Sequence, residues 1–287
     1  MIMQMSKDAC LARQFDSMGR GKPASGKTMD ERIAGGADPN ATMPFTVDDR
    51  NIDISALQFS ILFNQESAVQ SLINHGADVN YNSNGVTALE LAVKRTNANN
   101  VQTLLAAGAD PNVPDHQGKT PLIHCLMETR EKEDNRIFSA LIEAGADVNA
   151  PIPNNLNSPL HLATHQLDAQ RVSQLLEAGA DANAQNRLCE TPLHMLSARP
   201  QPFEAKQTVA NALISHGADL TAFDMEQRRP EDVAFEGGER TKDFGEFLQA
   251  ERIKQSQGNL TEGMQDILDK KEQQGTEGET QRKGRIM

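Results

Sequence analysis

One short string recurs along the chain and limits its fold more than any other feature. Gly-Ala-Asp, followed by Pro or an apolar residue, occurs six times at intervals of 40, 32, 37, 34 and 38 residues. The six copies begin at Gly36, Gly76, Gly108, Gly145, Gly179 and Gly217. A period of about 20 to 50 residues is typical of solenoids, in which each unit hides its apolar side only by stacking on its neighbours. The sequence therefore predicts one elongated stack of small units.

Two further motifs recur in phase with this string and predict a pair of helices in each unit. An aliphatic pair, which marks the core face of a helix, precedes five of the strings, at Leu72 and Ile73, Leu104 and Leu105, Leu141 and Ile142, Leu175 and Leu176, and Leu213 and Ile214. Ser or Thr, then Ala or Pro, then Leu stands upstream, at Ser55, Thr87, Thr120, Ser158 and Thr191. A hydroxyl caps a helix and Pro suits its first turn, so each unit is predicted to be helix, turn, helix and extended loop.

The recurring strings resemble the ankyrin repeat. The resemblance rests on Ser-Pro-Leu-His-Leu-Ala at 158–163, on Thr-Pro-Leu-His at 191–194 and on the joined aliphatic pairs and Gly-Ala-Asp strings, and it covers roughly residues 28–253. It implies an all-α solenoid of stacked helix-turn-helix units with β-hairpin fingers, about five good repeats and atypical caps. It also implies a concave face of fingertips and inner helices that binds a protein partner, and a structural, hydrogen-bonding role for His161 and His194.

The motifs divide the chain into four expected parts. These are an atypical N-terminal cap with a linker at 1–40, ankyrin repeats at 41–221, a C-terminal capping repeat at 222–253 and a flexible charged tail at 254–287. In the tail, Leu260, Met264, Ile267 and Leu268 share one helical face, which predicts a short amphipathic helix. That helix either packs back on the solenoid or binds a groove of a partner.

The end of the tail suggests a second setting for the protein. Its Glu-rich stretch resembles the C-terminal signals of ankyrin-repeat effectors that intracellular bacteria deliver through type IV secretion. This resemblance implies secretion into a host cell, whereas the rest of the chain indicates a cytoplasmic protein.

Charge and composition narrow the classes of partner that the chain is expected to bind. The chain has 28 Lys and Arg against 40 Asp and Glu, a formal net charge of -12, so attraction to nucleic acid or to anionic lipid is disfavoured. Residues 254–287 hold six basic and six acidic side chains, so the body carries the whole excess and would attract a basic patch on a protein. Three cysteines without CxxC spacing suit a reducing compartment. We expect a cytoplasmic monomer that binds no nucleic acid and no membrane.

The fingers carry large side chains where small polar ones are usual. Six of them form a predicted partner-binding stripe: Tyr81, His116, Ile152, Leu188, Phe223 and Met225. The alternative is that they pack between neighbouring fingers. At the turn position held by Gly85 and Gly118, later units have Leu156, Cys189 and Gln227. A non-Gly residue in a left-handed turn costs about 1 kcal/mol, so either these turns differ or their side chains are useful.

Three segments are longer than the repeat requires. Extra residues at 128–135 and 198–204 are expected to be tolerated loop insertions. The finger at 41–50 is also long, and its Phe45 and Val47 either cover the N-terminal cap or reach a ligand.

Catalytic motifs are weak in this chain. Residues 21–28 satisfy the phosphate-loop pattern with Lys27 and Thr28, which makes a nucleoside triphosphatase the alternative function. The residues before this segment read as a helix rather than as the buried strand that a phosphate loop follows, so we interpret it as a linker. The histidines and cysteines have no metal-ligand spacing, and His124 beside Cys125 is interpreted as helix packing. We therefore expect no enzyme, no metal and no cofactor.

Overall fold

A computed structural model describes residues 33–47, 50–127 and 133–257 of the 287-residue chain. Two antiparallel strands come first, β1 (Thr42–Val47) and β2 (Arg50–Ser55). Helices then follow in pairs. The inner helices are α1 (Ala56–Leu62), α3 (Ala88–Lys94), α5 (Pro121–Met127), α7 (Pro159–Gln166), α9 (Pro192–Ser197) and α11 (Pro230–Glu236). The outer helices are α2 (Glu66–Asn74), α4 (Ala98–Ala106), α6 (Glu133–Glu143), α8 (Ala169–Glu177), α10 (Phe203–Ser215) and α12, which spans 242–257.

The helix pairs stack in sequence order. Each inner helix packs on the inner helix of the next unit, from α1 on α3 through to α9 on α11. The first leucine of every predicted aliphatic pair is fully buried: Leu72, Leu104, Leu141, Leu175 and Leu213. The glycine behind each pair has a positive φ, 90° at Gly179, and so ends the outer helix with a left-handed residue. The predicted solenoid and its core face are confirmed.

The motif histidines join each unit to the next. Nδ1 of His161 accepts from the Ser158 N–H at 3.2 Å, and Nε2–H donates to the Glu190 carbonyl of the following finger at 2.9 Å. His194 donates in the same way to the Arg228 carbonyl at 3.0 Å. The structural role implied for both histidines is confirmed. In the first unit Gln58 takes this role, donating to the Val86 carbonyl at 2.8 Å.

An asparagine ladder runs along the edge of the stack where each outer helix ends. Asn149 is typical: its Nδ2 donates to the Gly179 carbonyl at 3.1 Å and its Oδ1 accepts from the Asp181 N–H at 2.9 Å, both in the next unit. Asn40, Asn80, Asn112 and Asn183 make the same pair of bonds. The ladder ends at Thr221, whose N–H and hydroxyl both bond to Asp219 of its own unit.

The long first finger is the hairpin of β1 and β2, in which Phe45 lies opposite Ile52. The Phe45 ring packs edge-on against Phe59, with centroids 5.9 Å apart, and against Phe63 at 6.3 Å. Phe45 therefore packs within the chain rather than reaching out to a ligand.

The C-terminal cap closes the stack with aromatic side chains. Phe244 and Leu248 of α12 are each 1% exposed, and Phe203 of α10 lies 5.5 Å from Phe247. One face of α12 is therefore buried against the stack. Beneath it, the fully buried Lys206 places Nζ 4.4 Å from the Phe244 ring centroid and donates to the Arg199 carbonyl at 2.8 Å. Burial lowers the pKa of Lys206 to about 8.

Lys206→Met is expected to stabilise the cap by about 1–2 kcal/mol at pH 7, because the ammonium is desolvated there without an ion pair among the described residues. Methionine has a similar length and packs well against aromatic rings. The gain should shrink as the pH rises through 8, since the wild type then folds with a neutral amine. Urea unfolding measures the effect, and the exposed Lys242→Met is the matched control. A less stable Lys206→Met protein would contradict this account.

Several predicted features lie outside the described residues: the phosphate-loop segment at 21–28 with the helix predicted before it, the tail helix after 257 and most of the insertion at 128–135. Within the described ranges, no helix is both long and apolar enough to cross a membrane.

Candidate protein-binding surface

Two of the fingers after the third unit end in hairpin tips that are hydrogen-bonded from within. In one tip the Asn186 N–H donates to the Glu190 carbonyl at 3.0 Å, while the Asn186 Oδ1 accepts from the N–H groups of Leu188 and Glu190 at 2.9 and 3.0 Å. Asp224 repeats the arrangement with the N–H groups of Glu226 and Arg228, both at 2.9 Å. One short polar side chain therefore fixes each tip from within.

Neighbouring tips also bond to each other. The Arg187 N–H donates to the Asn155 carbonyl at 2.8 Å, and the Met225 N–H donates to the Leu188 carbonyl at 3.0 Å. The last three fingers consequently form one continuous edge rather than separate loops.

Four large apolar side chains lie exposed on this edge. Their exposed fractions are 40% for Leu156, 56% for Leu188, 44% for Phe223 and 62% for Met225. We call these four residues the fingertip patch. Three of them belong to the predicted stripe. Leu156 was assigned to a turn position and left out of the stripe, although its size and its place in a finger could have included it.

The other predicted stripe residues lie elsewhere. His116 is exposed on the third finger, whereas Tyr81 is half-buried and its hydroxyl donates to the Asp53 carbonyl at 3.1 Å. Ile152 differs from the prediction, since it is only 7% exposed. Its N–H and carbonyl bond to Asn157 and Leu156 and close the base of a hairpin, so its side chain packs within the chain and offers no surface to a partner.

The tips keep left-handed turns even where glycine is missing. Leu156, Cys189 and Gln227 have φ values of 59°, 57° and 59°, against 76° for Gly118. The first of the two alternatives, that these turns differ, is therefore wrong. Each side chain is held in a conformation that costs about 1 kcal/mol, and at Leu156 the residue held in this way is part of the fingertip patch.

Charges around the patch are paired within the chain. Arg228 forms ion pairs with Asp224 at 2.8 Å and Glu226 at 2.7 Å. The Arg229 guanidinium lies 5.2 Å from the Phe223 ring centroid. An apolar centre with a hydrogen-bonded polar rim is the usual anatomy of a protein interface.

Comparison with known proteins agrees with this geometry. The family model described as ankyrin repeats (3 copies) matches residues 31–115 and 97–186, which together are more than half of the chain. The chain belongs to the ankyrin-repeat family. Ankyrin repeats are general protein–protein interaction modules.

Individual relatives share only part of their length with this ankyrin-repeat chain. Ankyrin repeat and SOCS box protein 16 of Homo sapiens is 33% identical over 162 residues, which are 55% of this chain and 35% of that protein. Ankyrin repeat and SOCS box protein 6 of Homo sapiens is 38% identical over 104 residues, or 33% of this chain and 24% of that protein. Palmitoyltransferase AKR1 of Kluyveromyces lactis is 32% identical over 124 residues, or 42% and 16%. The chain thus spans about a third or less of the length of these relatives.

Proposed function

We propose that this ankyrin-repeat chain is a non-enzymatic binding module that recognises a protein partner through its concave face and fingertips, with the fingertip patch as the main contact. The observation that carries the proposal is the row of four exposed apolar side chains on adjacent, hydrogen-bonded tips. Its setting is either a scaffold or adaptor in the cytoplasm, or an effector that acts on a host protein.

Rigid tips favour tight binding through few residues. Interfaces draw most of their affinity from a small number of large side chains near the centre, surrounded by polar contacts of little net energy. A loop whose backbone is already ordered loses little conformational entropy when it binds. The bonds within and between the tips provide this preorganisation.

The net charge of -12 indicates that the rim of the partner's binding surface is basic. A basic rim around an apolar anchor would be attracted to this acidic body, and the association rate would fall as salt is added.

The double variant Leu188→Ser and Met225→Ser should lose about 100-fold or more in affinity, since buried hot-spot side chains are each worth about 2 kcal/mol. Both positions are more than half exposed in the free chain, so folding should be unaffected. Affinity capture with the wild type identifies the partner, and titration calorimetry with that purified partner gives the dissociation constants.

A second double variant controls for any loss of exposed apolar surface. Phe235→Ser and Ile253→Ser remove side chains that are 38% and 46% exposed and belong to helices α11 and α12 rather than to a finger. This pair should bind like the wild type. If the fingertip variant also binds with unchanged affinity, the patch is not the contact.

A further inference from the structure

Three buried side chains with metal-binding atoms meet between the second and third units. Glu90 comes from α3, Asp115 from the base of the third finger and His124 from α5. One ligand atom from each lies within 4.8 Å of the others, and His124 Nε2 is 3.0 Å from Asp115 Oδ2. The side chains of Glu90 and Asp115 are 2% and 1% exposed, and that of His124 is 10% exposed. We call these three residues the buried trio.

Both carboxylates stand where other units have neutral or fully paired groups. The place of Glu90 in its helix, three residues after the capping Ser or Thr, is held in the other units by Gln58, Ile123, His161 and His194. The place of Asp115 is held by Asn186 in one finger, and by Asp224 with its Arg228 ion pair in another. Among the described repeats, carboxylates occupy both of these places only at this junction.

The presence of Glu90, where three other units have Gln or His, also removes a hydrogen-bond donor. In those units the side chain at this place donates an N–H to the carbonyl just before the next capping residue, as His161 does to Glu190. The equivalent carbonyl here belongs to Lys119, which closes its finger by accepting from the Asp115 N–H at 2.8 Å. An ionised carboxylate has no proton to donate. Glu90 accepts instead from the Thr87 N–H at 3.3 Å and from Lys94, so the bond that joins neighbouring units elsewhere is replaced here by a carboxylate that a cation could link to the third finger.

The two carboxylates of the junction have different partners among the described residues. Lys94 Nζ lies 2.7 Å from Glu90 and is 27% exposed, so it neutralises one carboxylate from the solvent side. His124 adds a positive charge only when protonated. Asp115 Oδ1 accepts from the N–H groups of Gln117 and Lys119 at 2.7 and 2.9 Å, so Oδ2, which lies against His124 Nε2, is the oxygen left for an ion.

We propose that the buried trio binds one divalent transition-metal ion of the zinc type. Imidazole nitrogen with carboxylate oxygens is a donor set that zinc accepts, whereas magnesium and calcium take oxygen ligands almost exclusively. Lys94 competes with the ion for Glu90, and its partial exposure lets it turn to solvent when the ion binds. The bound ion would tie the second unit to the third finger, in place of the missing histidine.

Cobalt titration of the metal-free full-length chain tests the site, because Co²⁺ reports nitrogen and oxygen ligation by visible absorption and is displaced by Zn²⁺. We expect one ion per chain and a melting temperature that rises with Zn²⁺. Glu90→Gln, Asp115→Asn and His124→Gln should each weaken binding about tenfold or more. The first two introduce residue types that other units use at the same places, so these variants should fold. Lys94→Met should strengthen binding.

A variant of an exposed histidine provides the control. His116→Gln removes an exposed imidazole from the tip of the same finger and should leave the affinity unchanged. The proposal is overturned if the wild type shows no saturable binding, or if the trio variants bind as tightly as the wild type while the exposed variant does not.

Discussion

Leu175→Asp is expected to unfold several repeats together rather than one helix. Leu175 is fully buried in α8 and belongs to the continuous core that runs through the stack. Burying an unpaired carboxylate there should cost about 4 kcal/mol or more. Because each unit is stable only through its neighbours, the loss should spread to the units before and after α8.

Hydrogen exchange and thermal circular dichroism measure this spread. Gln170→Asp is the matched control, since it introduces the same carboxylate at an exposed position in the first turn of the same helix, where the helix dipole favours it. The melting temperature of Gln170→Asp should be close to that of the wild type. If Leu175→Asp loses protection only within 169–177, the units do not depend on one another as the packing indicates.

His161→Ala is expected to cost about 2–3 kcal/mol, because it leaves the Ser158 N–H and the Glu190 carbonyl without their side-chain partner. His161→Gln should cost far less, since Gln58 makes the corresponding two bonds in the first unit, accepting from the Ser55 N–H at 2.8 Å. Urea unfolding of the two variants gives the comparison. If His161→Ala and His161→Gln lowered the free energy of unfolding equally, the imidazole ring would matter for its packing rather than for its hydrogen bonds.

The same histidines predict a pH dependence. Burial lowers the pKa of His161 and of His194 below the ordinary value of 6.5, although their bonds to carbonyls oppose the shift. The unfolded chain therefore takes up protons first as the pH falls, so stability should decrease with acidification below about pH 7. His161→Gln combined with His194→Gln should flatten part of this slope. An unchanged slope would show that other groups cause it.

The fold was predictable because its signals are local and repeated. A capping hydroxyl, an aliphatic pair and a terminal glycine each act within a few residues, and agreement among six copies of the Gly-Ala-Asp string removes the ambiguity of any one. The helix pairs followed directly from these signals, whereas the role of the two histidines was implied by the resemblance to the ankyrin repeat.

The fingertip patch was only partly predictable, because the side of a hairpin on which a residue lies depends on register. Ile152 and Leu188 both stand in fingers, yet Ile152 closes a hairpin base and is buried while Leu188 projects from a tip. A shift of one residue reverses inside and outside in such structures. Glu90, Asp115 and His124 were missed for another reason, because their proximity arises from stacking two units and leaves no spacing signal in the chain.

The asparagine ladder makes the number of units adjustable. Each rung joins only two adjacent units and uses the same bonds whatever lies further along, so a unit could be inserted or deleted in frame without disturbing distant rungs. Thr221 stops the series because its hydroxyl turns back to Asp219 and offers no amide to a successor. Growth of the array by duplication would need an asparagine at this position and a new unit that the aromatic cap can close, and the curved surface available to partners would lengthen with it.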